Sequence, residues 1–169
     1  MDIPSFFQVI AEISVAIAGF SGLIVALRKA PGPLTTVQKY RLRILLLLAF
    51  GAMFLSLLPE LLVFCGTAPS TIWKLCSLAL CVYSIVFLAW WIPASAQTKK
   101  AEPRIFNRFA YFRMAAGHGL VILLQTAFLA SFVESGIAVF AIGLTWYLVH
   151  SAQQFTRMLF VHAKSDAVT

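Results

Sequence analysis

The chain has 169 residues, of which 61% are hydrophobic and 11% are charged, and its formal net charge is +7. Soluble domains are nearer half apolar and a quarter charged, so this composition excludes an ordinary soluble protein and predicts an integral membrane protein. The basic residues cluster between hydrophobic runs, which indicates contact with anionic lipid headgroups and argues against nucleic acid as a partner.

Taken in chain order, five hydrophobic runs predict an all-α bundle of five transmembrane helices within a single domain, 1–169. The first run has no basic leader and no cleavage site of the A-x-A kind, so we expect a retained span. An alternative keeps four spans and makes the first run re-entrant or the fifth interfacial. The predicted spans are 6–27, 44–65, 72–92, 114–133 and 137–160, and the predicted basic cytoplasmic loops are 28–43 and 93–113. An alternative for the second loop is that the part from Ile105 is an interfacial helix or the first turns of the next span.

The positions of Lys and Arg predict the orientation. All of the 13 basic residues except Lys74 fall in the two basic segments or toward the end of the chain. Because Lys and Arg are retained on the cytoplasmic side, we expect the N-terminus outside and the C-terminus in the cytoplasm of a bacterial inner (plasma) membrane. Four of the six acids, Asp2, Glu12, Glu60 and Glu134, then belong to the outer half, with Glu60 and Glu134 at an outer mouth.

The first run sorts its residues by size when it is placed on a helix. A helix that contacts lipid on every side has no reason to do so, and the division indicates close packing on a partner or a wet pathway. The large apolar face, which we expect to contact the other spans, holds Phe6, Val9, Ile10, Ile13, Ile17, Phe20, Ile24 and Leu27. The opposite face is small or polar and holds Gln8, Ala11, Glu12, Val15, Ala18, Gly19, Gly22 and Ala26.

Glu12 is the strongest functional candidate, because a charged side chain at the bilayer centre costs roughly 2.5–3.5 kcal/mol on insertion scales. Repeated around the axis of a homo-oligomer, it forms a carboxylate ring of the kind that selects cations. The alternative is structural: Glu12 is protonated, reaches outward to the membrane surface, or pairs with Lys74 or His118. For Glu60 an ion pair with Lys74 across a short turn is favoured. The pore candidates are Gln8, Glu12, Val15, Gly19 and Gly22.

A second set of polar residues lies on the fourth and fifth runs. His118 and Gln125 are spaced to share one helix face, and His150 begins a polar stripe on the fifth run. These three residues are candidates for a proton or substrate path, since histidine changes its charge near neutral pH. Hydrogen bonding between helices is the alternative. The three His and three Cys follow no recognised ligand spacing, so we expect neither a metal nor another cofactor.

One short string resembles an enzyme motif. Gly19-Phe20-Ser21-Gly22 is similar to the G-x-S-G string of rhomboid intramembrane serine proteases, which implies Ser21 as nucleophile and His118 or His150 as base. Rhomboids usually have six core spans, with serine on the fourth and histidine on the sixth, whereas Ser21 lies on the first run. We interpret the match as a coincidence and predict no catalytic residue.

Five short spans leave little room for a substrate cavity inside one subunit, which favours a pathway between subunits. The sequence therefore favours a small homo-oligomeric channel that prefers cations and is lined by the first helix. Three alternatives stay open: a small proton-coupled transporter that uses Glu12 and His118, a non-enzymatic membrane subunit and, remotely, a serine hydrolase.

Overall fold

The computed structural model describes residues 3–26, 34–101, 103 and 108–166, with side chains described over 5–26, 34–101, 103 and 109–159. Five α-helices account for nearly all of them, and each contains a stretch long and apolar enough to cross a membrane. The prediction of an all-helical protein with five helices of transmembrane length is therefore confirmed. The helices are α1 (Ile3–Ala26), α2 (Thr36–Phe64), α3 (Pro69–Ala101), α4 (Arg108–Leu129) and α5 (Gly136–Asp166).

Three helices extend into the basic segments that the sequence analysis assigned to loops. Residues 36–43 and 93–101 are helical, so the prediction of loops over 28–43 and 93–113 is wrong for these parts, whereas 108–113 forms the first turns of α4, as the alternative for the segment from Ile105 allowed. Hydropathy falls where Lys and Arg appear, but both residues are good helix formers, so a helix continues past the apolar run. Pro93 lies inside α3, consistent with the tolerance of proline in membrane helices. The remaining parts, 28–33, 102 and 104–107, lie outside the described residues.

A capping box determines where α2 begins. The hydroxyl of Thr35 accepts from the backbone N–H of Gln38 at 3.2 Å, and the Gln38 side chain accepts from the backbone N–H of Thr35 at 3.0 Å. Two N–H groups that the helix leaves unpaired are thereby satisfied. α2 consequently starts eight residues before the first residue of the predicted span, 44–65.

Two aromatic clusters show how the helices alternate in direction. Phe7 of α1 lies 5.9 Å from Trp73 of α3 and 5.7 Å from Phe140 of α5, measured between ring centroids. These three residues are near the beginnings of their helices, so α1, α3 and α5 begin at the same end of the bundle. At the opposite end, Trp91 of α3 stacks on Tyr111 of α4 at 4.5 Å.

Apart from Lys74, the described charged side chains near the helix ends divide by sign between these two ends of the bundle. We call the end at which α1, α3 and α5 begin the acidic end, because it carries Glu60 and Glu134. We call the other the basic end, because it carries the end of α3 with Lys99 and Lys100 and the beginning of α4 with Arg113. Asp2 lies outside the described residues. Which end faces the cytoplasm stays a prediction.

α2 and α5 form the centre of the bundle, while α1 and α4 lie at its edges. α1 packs on α2 and α5, and α4 packs on α3 and α5. Leu45 and Leu48 of α2 and Phe140 and Leu144 of α5 are fully covered by neighbouring side chains. The two edge helices therefore leave an outer face each for lipid or for another protein chain.

Candidate functional site

α1 packs on the bundle through a face that lies between the two faces predicted from the sequence. Of the described members of the large face, only Ile10 is fully buried, and Phe20 is 59% exposed. The expectation that the large face contacts the other helices is therefore mostly wrong. Small side chains allow α1 to approach α2 and α5 closely. Large apolar side chains are as stable in contact with lipid as in contact with protein, so they need not be buried. The buried residues of α1 are Phe7, Ile10, Ala11, Ser14, Ala18 and Ser21.

All five pore candidates share one uncovered face of α1. Gln8, Glu12, Val15, Gly19 and Gly22 fall within an arc of about 80° on an α-helix, and each of them is exposed. A Cβ atom placed on Gly19 or Gly22 would meet no atom within 4 Å. We call these five residues the α1 outer face. No other part of the described chain covers it.

Glu12 is held by a neighbour on this same face. Its Oε1 accepts a hydrogen bond from Nε2 of Gln8 at 3.1 Å, one helical turn away. The pairings of Glu12 with Lys74 or His118 are not formed, because Glu12 faces outward and His118 is enclosed elsewhere in the bundle. The expected ion pair between Glu60 and Lys74 is likewise not formed among the described side chains, and both residues are exposed.

The histidines of α4 and α5 meet inside the bundle. The ring centroids of His118 and His150 lie 6.0 Å apart, and the side chains are 0% and 2% exposed. The His118 ring is also stacked against Phe87 of α3 at 4.7 Å and against Tyr147 of α5 at 5.5 Å. Side chains from three helices thus enclose His118.

The hydrogen bonds of His118 are incomplete. Its Nδ1 lies 3.0 Å from the carbonyl oxygen of Met114 and 3.3 Å from Nε1 of Trp146. Nδ1 either carries a proton and donates to the carbonyl, or lacks it and accepts from the indole N–H. It cannot do both at once, so these two contacts compete. Nε2 is buried and has no hydrogen-bond partner among the described residues. Buried polar atoms without a hydrogen-bond partner are uncommon in proteins, and they often belong to functional sites.

Further buried polar groups continue from the histidines toward both ends of the bundle. Toward the basic end, Nε2 of His150 lies 3.2 Å from Nε2 of Gln154. In the other direction, the Tyr147 hydroxyl lies 2.6 Å from Oγ of Ser84. We call the set of His118, His150, Gln154, Tyr147 and Ser84 the buried polar column.

Gln125 is separated from this column. It lies seven residues after His118, about 10 Å along α4, and its Nε2 donates to the carbonyl of Val139 at 3.0 Å. Its Oε1 is buried without a partner among the described residues. The structure therefore brings His118 and His150 together and leaves Gln125 apart. Sequence reasoning missed Tyr147, although its place three residues before His150 puts it on the same stripe of α5.

Ser21 bonds to its own helix. Its Oγ donates to the carbonyl oxygen of Ala18 at 2.7 Å, and the side chain is fully buried. This is a common arrangement for serine inside a helix. No hydrogen bond joins Ser21 to a histidine in the part of the chain that the structure describes.

Comparison with known proteins assigns no function to these residues. No protein-family model, no curated protein and no solved structure matches this chain. The function is therefore inferred from the α1 outer face and the buried polar column.

Proposed function

We propose that the protein is a small homo-oligomeric channel of a bacterial plasma membrane that prefers cations and is lined by the α1 outer face. The observation that carries this proposal is that the bundle leaves Glu12 and Gln8 uncovered on a helix of transmembrane length. A carboxylate turned toward hydrocarbon costs roughly 2.5–3.5 kcal/mol near the membrane centre. Several copies arranged with α1 around a common axis place Glu12 in water instead.

The geometry of the α1 outer face suits such an axis. Gly19 and Gly22 have open space where a side chain would stand, which allows neighbouring α1 helices to approach closely. Glu12 lies about 14 Å from the beginning of α1, and the Gln8 amide orients its carboxylate. A ring of these carboxylates attracts cations, and the exposed acids Glu60 and Glu134 raise the cation concentration at the same end. In this proposal the acidic end is the outer mouth.

Cysteine cross-linking tests the assembly. In a Cys65→Ser background, we expect Val15→Cys and Gly19→Cys to give covalent dimers with a short bifunctional thiol reagent, because equivalent residues of adjacent copies meet around the axis. Phe20→Cys is the matched control, since Phe20 is exposed but lies 100° from Gly19 on the helix. Equal cross-linking of all three variants, or none in any, contradicts an assembly around α1.

A second candidate function is proton-coupled transport through the interior of one subunit. It is favoured by the contact between His118 and His150 and by the unpaired Nε2 of His118. The relay that the sequence suggested, from Glu12 to His118, is not supported by the contacts, because α1 packs on α2 and α5 whereas His118 lies on α4. His150 is the better partner for His118 in such a relay.

Proton dependence separates the two functions. For a channel along α1, we expect cation flux into liposomes to continue without a pH gradient and to stay within about twofold in His118→Gln, since that residue lies off the pathway. A pH-sensitive dye inside the liposomes reports any coupled proton movement. Strict dependence on the gradient, with loss in His118→Gln but not in Glu12→Gln, contradicts the channel and supports the transporter. Stable oligomers without any flux indicate a non-conducting membrane subunit.

A further inference from the structure

A groove runs along the outer side of the bundle between α4 and α5. It consists of two adjoining spaces of about 580 and 310 Å³ that share Gly117, Leu120 and Trp146 as lining residues. Their volumes fall in or near the range of small-molecule sites, roughly 300–1,000 Å³. The smaller space leads to Arg113 at the basic end. The groove is therefore large enough for a ligand and ends at a positive charge.

The walls of the groove present almost only hydrocarbon. The Thr145 hydroxyl is bonded to the carbonyl of Ala141 at 2.8 Å, and the Trp146 indole N–H points to Nδ1 of His118 at 3.3 Å. Both polar groups of the larger space are thus already bonded within the protein. An occupant gains little from polar groups along the groove and must itself be apolar there.

Positive charge at the basic end of the groove is not neutralised by the described side chains. The Arg113 guanidinium donates to Oε1 of Gln153, and Arg157 lies one helical turn after Gln153 on α5. Neither arginine forms an ion pair among the described residues. A guanidinium has five N–H donors, and among the described residues most of those on Arg113 are not engaged, so they can bind an anion, for which phosphate is a preferred partner.

The depth of Arg113 suits a lipid headgroup. It lies four residues after Phe109, where the candidate span of α4 begins, which places it about 6 Å inside that end of the span. Arginine side chains at this depth extend to the headgroup region. The cation therefore lies where a phospholipid phosphate is found when the acyl chains follow the groove.

We propose that this groove binds an anionic phospholipid, with one acyl chain along Trp146 and the headgroup phosphate at Arg113 and Arg157. This proposal does not depend on the channel function. A second copy of the chain is a poorer occupant, because copies inserted with the same orientation in the membrane bring their own basic ends together. With a net charge of +7 per chain, such contact adds repulsion at Arg113, whereas an anionic lipid removes it.

Quenching of Trp146 fluorescence by brominated lipids tests the site. The protein is placed in bilayers that contain brominated phosphatidylglycerol or brominated phosphatidylcholine at the same mole fraction. The fluorescence of Trp146 is obtained by subtracting the fluorescence of Trp146→Phe from that of the wild-type protein. We expect the anionic lipid to bind about fivefold more tightly, the effect of roughly one cation near a membrane surface. Equal quenching by both lipids overturns the proposal.

Variants identify the groups responsible. We expect Arg113→Gln to remove most of the preference for the anionic lipid and Arg113→Lys to retain it, because lysine preserves the charge. Ala141→Phe fills the groove and should abolish quenching by either lipid, whereas Ala89→Phe, at an exposed alanine of α3, should not. An unchanged preference for the anionic lipid in Arg113→Gln overturns the proposed site. Protection of Trp146 from quenching that increases with protein concentration also overturns it, because it identifies a second copy of the chain as the occupant.

Discussion

We expect Gly117→Ala to lower the free energy of unfolding by about 2 kcal/mol, whereas Gly119→Ala leaves it unchanged or slightly raised. A Cβ atom on Gly117 would lie 1.9 Å from Cζ2 of Trp146 and 2.3 Å from its Cε2, separations that real contacts do not reach. A Cβ atom on Gly119 would meet nothing within 4 Å. The two glycines are on the same helix, so the comparison isolates the contact between α4 and α5.

The penalty at Gly117 arises because a shift of Trp146 away from the added methyl group disturbs its contacts inside the bundle. Its indole ring contacts both His118 and His150, with ring centroids at 6.2 and 5.7 Å, and its N–H points to Nδ1 of His118. Titration of the protein in mixed micelles with a denaturing detergent measures the unfolding free energy of each variant. In a Trp146→Phe background the penalty should shrink, as a double-mutant cycle reveals. Equal losses at Gly117 and Gly119 contradict the packing described for α4 on α5.

Glu12→Gln is expected to lower the preference for cations over anions by roughly tenfold, equivalent to about 1.4 kcal/mol in the interaction of a cation with the carboxylate ring. Glutamine keeps the size of the side chain and can still bond to Gln8, so the change removes charge and little else. Because it also reduces the cost of placing this residue in a membrane, insertion should not be impaired. Glu60→Gln is the matched control.

The control distinguishes a selective ring from general surface charge. Glu60 is an exposed carboxylate near the end of α2, and in the proposal it lies at the mouth and off the α1 axis. Its neutralisation should change the preference for cations over anions at 0.1 M salt by less than about twofold, because exposed charges are screened within about 10 Å at that salt concentration. Equal effects of the two substitutions contradict a specific role for Glu12.

Hydropathy predicted the number and type of the helices, since a run of apolar residues has few alternatives in a membrane. The helix ends were less predictable. α3 continues through Pro93 to Ala101, and α2 begins at the capping box of Thr35, because helix formation depends on propensity and caps as well as on hydropathy. A basic segment next to a span is therefore a poor sign of a loop.

The helical period was sufficient to place the five pore candidates on one face of α1, since that needs only the spacing of the residues. It was not sufficient to identify the buried face. Both lipid and protein are apolar surroundings, so large residues such as Phe20 carry no signal for packing, and small ones such as Ala18 pack inside. His118 and His150 were recognised individually, but their contact depends on how α4 and α5 pack.

The most direct test of the proposed channel is the reversal potential across a planar bilayer under a salt gradient, measured for the wild-type protein and for Glu12→Gln after both have been shown to assemble alike. We expect the wild-type value to lie toward the cation equilibrium potential and the Glu12→Gln value to move toward zero. Identical reversal potentials for the two proteins, or the lack of current from intact oligomers of either, would contradict a cation pathway along α1.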